Sequence, residues 1–134
     1  YPLGLLDGLA TGPIQAIAPW PTRVPTQVLL EGSHPIVAGL RGPLRVPYQG
    51  GPAFTPERGE VDVLARFASG GGAALVAFVT GKGRVVLSSV HLEGPPDEAA
   101  KPAAPIHGPE RAEERGAREL LARALRWALF RPPV

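Results

Sequence analysis

The stretch that most constrains the fold is residues 70–90, GGGAALVAFVTGKGRVVLSSV. Its centre, AALVAFV (73–79), is an unbroken apolar run with a glycine triplet in front and Thr80-Gly81-Lys82-Gly83 behind. A short apolar run closed at both ends by turn residues predicts a strand buried on both faces. Upstream, EVDVLARFA (60–68) alternates Val61, Val63 and Ala65 against Asp62, Leu64 and Arg66, and Phe67 continues the first set. That is the period of a strand with one partly wet face. Downstream, RVVLSSV (84–90) is the returning strand. Residues 60–90 therefore predict a meander whose most buried strand lies in the middle.

The flanking sequence is harder to read. TQVLLEG (26–32) has strand character, and IQAIAP (14–19) suggests a shorter strand; YPLGLLDGLATGP (1–13) reads as a loop entering the domain. In SHPIVAGL (33–40), Pro35 is placed for the first turn of a short helix or 3₁₀ turn, and Gly39 for its end. PLRVPYQGGPAF (43–54) suggests a short strand interrupted by Pro47, then a Gly-Gly turn. Proline confines such a strand to an edge or an irregular position. Residues 94–109, rich in Pro and Ala, read as a long mobile loop.

The chain closes on ERAEERGARELLARALRWALF (110–130). Ala117, Leu120, Leu121, Ala124, Leu125, Ala128 and Leu129 recur at steps of three and four, predicting an amphipathic helix packed on the sheet. Glu114/Arg118 and Glu119/Arg123 fall at i,i+4 in the favourable order.

The length of 134 residues suits one domain, 1–134. Gly and Pro, 17 of each, bracket apolar runs, which is the pattern of a loop-rich globular domain and not of a disordered polymer. The net charge of +2 comes from the last 28 residues, since the body is neutral. No basic cluster is interleaved with aromatics, so no nucleic-acid partner is expected. No apolar run is long enough for a membrane span and no signal segment opens the chain, so a cytoplasmic protein is the default expectation. With Cys 0, thiolate metal sites and cysteine nucleophiles are excluded within these residues. With Met 0 and Tyr1 at the start, the numbering reads as beginning inside a longer polypeptide.

Chemistry concentrates at His91-Leu92-Glu93, where the returning strand ends. Residues i and i+2 of a strand share a face, so the imidazole and the carboxylate can pair. A histidine so placed can take a proton from a nucleophile, with the carboxylate fixing its tautomer. The same pair can equally be two polar residues facing water at a strand end. Tyr48-Gln49-Gly50-Gly51 is the second candidate: two glycines permit close approach of backbone to a ligand, and Gln49 could recognise an amide. It can also be an ordinary tight turn. A metal site from His34, His91, Glu93 and His107 lacks the spacing of zinc or iron motifs, so no metal or other cofactor is expected.

GKGRVVLSSVHLE resembles the segment near the end of class I glutamine amidotransferase domains, where a Gly-rich turn leads into a strand closing on the His-x-Glu pair of a Cys-His-Glu triad. VPYQGGPAF resembles the Tyr-x-Gly-Gly segment of one branch, the N-terminal domain type of biotin-protein ligases, and VDVLARFA resembles the strand that follows it. LGLLDGLATGP is similar to a segment beyond the nucleophile, HPIVAGL to a His-Pro-Ile turn, and LLARALRWAL to the closing helix. The resemblance covers most of the chain, in matching order.

It implies an α/β fold, the C-terminal portion of a flavodoxin-like three-layer domain with an antiparallel meander and a terminal helix. It implies His91 as general base and Glu93 as its orienting carboxylate, conditional on an upstream cysteine. Tyr48, Gln49, Gly50 and Gly51 then line the cleft for a small amide-containing ligand. The family's Gly-x-Cys-x-Gly elbow has no counterpart here. Ser88 and Ser89 lie in the strand, not on an elbow, and cannot replace it. Three readings follow: the cysteine lies in a missing N-terminal segment, it has been lost, or the domain binds or assembles without catalysis. Such a half-domain would be held by that segment or by a second copy of the chain.

Overall fold

The computed structural model describes residues 10–14, 17–18, 22–55, 61–70, 72–93 and 112–129. Among these residues seven strands and one helix run in the order β1 (Ala10–Pro13), β2 (Val24–Leu30), β3 (Leu44–Tyr48), β4 (Pro52–Phe54), β5 (Val61–Phe67), β6 (Ala73–Thr80), β7 (Gly83–Ser88) and α1 (Ala112–Leu129). All strand pairings among the described residues are antiparallel. The mixed α/β class, the meander and the terminal helix all follow the sequence pattern. The described residues make two layers, one sheet and one helix.

The meander is β5-β6-β7, with β6 between its two sequence neighbours. Ala73 to Ala77 of β6 are all buried, as an apolar run between two strands and two packed faces must be. Thr80 pairs with Gly83 across a two-residue loop, and Gly81 takes φ 57 there. A positive φ at the first loop position, which glycine adopts without penalty, matches the right-handed twist of a hairpin.

Two expectations change on contact with the structure. Leu64, placed by strict alternation with Asp62 and Arg66 on the wet face, is fully buried. The β5–β6 register shifts between Val63 and Ala65, so Leu64 is an inserted residue and the strand changes face there. Val61 and Val63 therefore pack on a small cluster with Phe54, Ala73 and Val76, while Leu64, Ala65 and Phe67 join the main core. The second change is at the start of the chain. Ala10–Pro13, read as loop, pairs with β4, whereas Ile14 begins a turn: its carbonyl accepts from Ile17 N–H at 3.0 Å and Ala18 N–H at 3.4 Å. An available sheet edge made the strand, and local pattern gave no sign of it.

The sheet is curled. In the order β1-β4-β6-β5-β2-β3, four steps separate β4 from β3. A flat sheet would hold them about 19 Å apart at roughly 4.8 Å per step. Residues 49–51 alone join them, and four extended Cα steps reach about 14 Å. The two ends of the sheet must therefore approach each other, and residues 89–91 fill the remaining gap. Ser89 N–H donates to Ala74 O of β6 at 2.8 Å, and His91 N–H donates to Pro47 O of β3 at 2.9 Å. Val90 forms an antiparallel bridge with Tyr48.

Helix α1 packs against β3 and β7, the strands on either side of this seam. Ala117, Leu120 and Ala124 are its buried stripe, and Leu121 and Trp127 pack beside them. A Cβ on Gly116 would lie 2.6 Å from Leu44 Cδ2, so the glycine lets the helix sit close on β3. Glu119 and Arg123 form the expected i,i+4 pair at 3.1 Å. The Glu114 side chain, the 94–109 loop and His107 lie outside the described residues.

Candidate functional site

The seam places the residues singled out from the sequence side by side. Strand β7 ends because Ser88 Oγ donates to Val90 O at 2.6 Å and accepts from Val90 N–H at 3.2 Å, a local hydroxyl turn that competes with the ladder. The next residues can then alternate between two strands, Ser89 bonding to β6 and His91 to β3. Pro47 prepares the β3 side. It stands opposite Pro25, and two residues without N–H can share a rung only as a non-hydrogen-bonded pair. Its carbonyl therefore faces outward, where it accepts from His91. The proline that confines β3 to an edge thus presents that edge to the site.

His91 and Glu93 do pair, but from a turn beyond the end of β7 and not from the shared strand face that their spacing predicts. His91 Nδ1 lies 2.8 Å from Glu93 Oε1, with side chains 37% and 64% exposed. An ionised carboxylate only accepts, so in the neutral ring the proton sits on Nδ1 and Nε2 carries the lone pair. That is the tautomer of a general base. Burial acts to raise the Glu93 pKa, but four effects outweigh it and hold the carboxyl below its ordinary range. These are its own backbone N–H, the hydrogen bond and charge of His91, and the charge of Arg23. Arg23 was not evident from the sequence as part of this group. It lies just before β2, and only the fold brings it to the end of β7.

The Tyr-Gln-Gly-Gly turn also lies against this segment, and its residues divide. Tyr48 is fully buried, its ring edge-on to Phe67 at 5.8 Å. Its hydroxyl accepts from Ile14 N–H at 2.7 Å and donates to Gly51 O at 2.6 Å. It holds the turn closed and has no hydroxyl bond to spare for a ligand as donor. Gly50 takes φ 70, the left-handed conformation that glycine supplies. A Cβ on Gly51 would lie 2.8 Å from the Ser89 carbonyl carbon and collide with its oxygen and hydroxyl. Gly51 is therefore required for backbone to cross backbone at the seam. Gln49 is half-buried and already engaged in an interaction.

The nucleophile has no occupant among these residues. Ser88 Oγ is committed to Val90, and Ser89 Oγ is buried against Gly51 with no hydrogen-bond partner among the described residues. Of the four residues weighed for a metal, His34 neighbours Asp62 at 4.0 Å, and His91 pairs with Glu93. Among the described residues no group of three His, Asp or Glu is arranged to hold an ion. No helix among them is long and apolar enough to cross a membrane. A shallow concavity of about 420 Å³ lies elsewhere, between β2, β3 and the turn after β5, lined by Gln27, Arg45 and Ser69 among others. The site at the seam is thus an imidazole oriented by Glu93, beside a turn locked by Tyr48 and Gly51. Comparison with protein-family models, curated proteins and solved structures finds no match to this chain.

Proposed function

We propose that the chain is the C-terminal part of a class I glutamine-amidotransferase-like domain of the biotin-protein-ligase N-terminal type, in which His91 serves as general base. The observation that carries this reading is the 2.8 Å bond from His91 Nδ1 to Glu93, which leaves Nε2 free to take a proton. The order of the motifs supports it, as does the seam that brings the Tyr-Gln-Gly-Gly turn beside the histidine. In this reading the flavodoxin-like third layer and the cysteine both come from outside the 134 residues. A second copy of the chain cannot donate that thiol, because Cys is 0.

The chemistry follows in balanced steps. Nε2 removes the thiol proton, and the thiolate adds to the carbon of a carboxamide. The tetrahedral adduct collapses with loss of ammonia, which takes the proton from the imidazolium, leaving a thioester. Water, deprotonated by the same nitrogen, then cleaves the thioester to acid and thiol.

The rival reading is a non-catalytic domain that binds a small amide-containing ligand, or assembles with a partner, at the same cleft. It draws on the commitment of the Ser88 hydroxyl to Val90, the burial of the Ser89 hydroxyl against Gly51, and the absence of a thiol. In either reading the chain is held by an N-terminal segment or a second copy, and a stable dilute monomer would count against that part.

The test uses the longer polypeptide carrying these residues and a chloroketone analogue of glutamine. Labelling of a cysteine in a Gly-x-Cys-x-Gly turn, slowed at least about 100-fold by His91→Asn, is the expected result. A polypeptide with no such cysteine, or one whose cysteine labels equally fast without His91, sinks the enzyme reading and leaves the binding one.

A further inference from the structure

His34 occupies a junction that the proposed chemistry does not use. It opens the turn 34–40, where its carbonyl accepts from Val37 N–H and Ala38 N–H, both at 2.9 Å. Its ring adds a third bond: Nδ1 accepts the Ile36 N–H at 3.1 Å. Ile36 and Val37, which this turn delivers, are in the main core at 0% and 3% exposure. The other nitrogen, Nε2, faces the Asp62 carboxylate of β5 at 4.0 Å, and the side chain is only 10% exposed.

The turn is fastened to α1 twice. The His34 ring meets Trp127 edge-on with centroids 4.9 Å apart, and the Arg123 guanidinium donates to Ala38 O. Arg123 is itself neutralised by Glu119. From β7, Arg84 stacks over Trp127 at 5.1 Å and donates to its carbonyl at 2.8 Å. Asp62 of β5 and Trp127 of α1 therefore meet one imidazole, and Arg84 of β7 braces the tryptophan.

We propose that protonation of His34 unfastens the 34–40 turn and the C-terminal half of α1 from the sheet, making this junction a pH-operated latch. A protonated ring has two N–H donors and no acceptor. Nδ1–H would then face the Ile36 N–H, donor against donor, and the turn loses its ring cap. The new charge arrives in a site with little water, beside the Trp127 edge and within the field of Arg84. Asp62 favours it, but is itself 66% exposed and screened.

Burial is the largest effect on this histidine and lowers its pKa; Asp62 works upward and Arg84 downward. The sign is then fixed. The unfolded chain binds the proton more readily than the folded one, so the latch contribution is present above about pH 6.5 and is lost as the pH falls through that value towards the lower folded one.

The experiment follows Trp127 emission in a Trp20→Phe background, where it is the sole indole, from pH 8 to 4.5. The expected signal is a single transition with its midpoint below 6.5. His34→Asn keeps an acceptor for the Ile36 N–H and cannot protonate, so its emission should stay flat over the same range. Asp62→Asn removes the group that favours the charge, and should move the midpoint to lower pH. A flat wild-type profile overturns the proposal, as does an unchanged transition in His34→Asn. Should His34→Asn not fold, an unmoved midpoint in Asp62→Asn overturns it equally.

Discussion

The two described histidines use the same ring atom in opposite ways. At His34, Nδ1 accepts a backbone N–H, so the neutral ring carries its proton on Nε2. At His91, Nδ1 donates to a carboxylate, so the lone pair is on Nε2. One ring is 10% exposed and is built into a turn that delivers Ile36 to the core; the other is 37% exposed at a seam between strands. The difference teaches what each proton state is for. Protonating His34 breaks a structural bond, whereas protonating His91 leaves its bond to Glu93 intact and strengthens it. The first ring can govern shape with pH, and the second can exchange a proton without disturbing the fold.

The variant with the largest expected effect loosens the helix that packs on β3 and β7 beside the seam and touches His34 through Trp127. Leu120 is fully buried between α1 and the sheet, so Leu120→Ala should cost about 2–5 kcal/mol in urea unfolding and loosen both histidines together. Loss confined to one of them would break the view that α1 braces the two. Next, Gly51→Ala should cost about 2–3 kcal/mol, because its Cβ meets Ser89 backbone that cannot yield. This damage should fall on the His91 seam and spare the Ile36 amide, which hydrogen exchange can follow residue by residue.

Tyr48→Phe sharpens the same contrast at smaller scale. It strips one acceptor from Ile14 N–H and one donor from Gly51 O, for an expected loss of about 1–2 kcal/mol at the seam alone. The smallest effect belongs to Glu93→Gln. Both partners are substantially exposed, so the stability change at pH 7 should be under about 1 kcal/mol. Because the Glu93 carboxyl is held low, its contribution exists above about pH 4.5 and fades as the pH falls through the lower folded value. The variant should lose that acid-range slope. An unchanged slope would mean that the pair contributes nothing to folding.

How much of this was legible in the sequence depends on how far apart the cooperating residues lie. β5, β6, β7 and α1 were readable because period, glycine turns and helical spacing are local signals. The 34–40 turn was also readable, with Gly39 at φ 78 ending it as expected. The Leu64 inversion was hidden, because a bulge changes the face of a strand without changing its composition. The seam was hidden for a different reason: pairing β3 with residue 90 joins segments more than 40 residues apart. Hence His91 and Glu93 could be named from their spacing, while Arg23, and the reason Gly51 must be glycine, could not. The roles of His34 and Trp127 likewise depend on a contact between opposite ends of the chain.

The most direct test is the protonation of the ring nitrogens of His34 and His91, read by two-bond ¹⁵N–¹H correlation at pH 7.5. The account expects His91 with its proton on Nδ1 and His34 with its proton on Nε2. His91→Asn and His34→Asn would assign the signals, and Glu93→Gln should abolish the His91 preference while leaving His34 unchanged. If His91 carries its proton on Nε2, its basic nitrogen is turned toward the Glu93 side and the oriented-base account is contradicted.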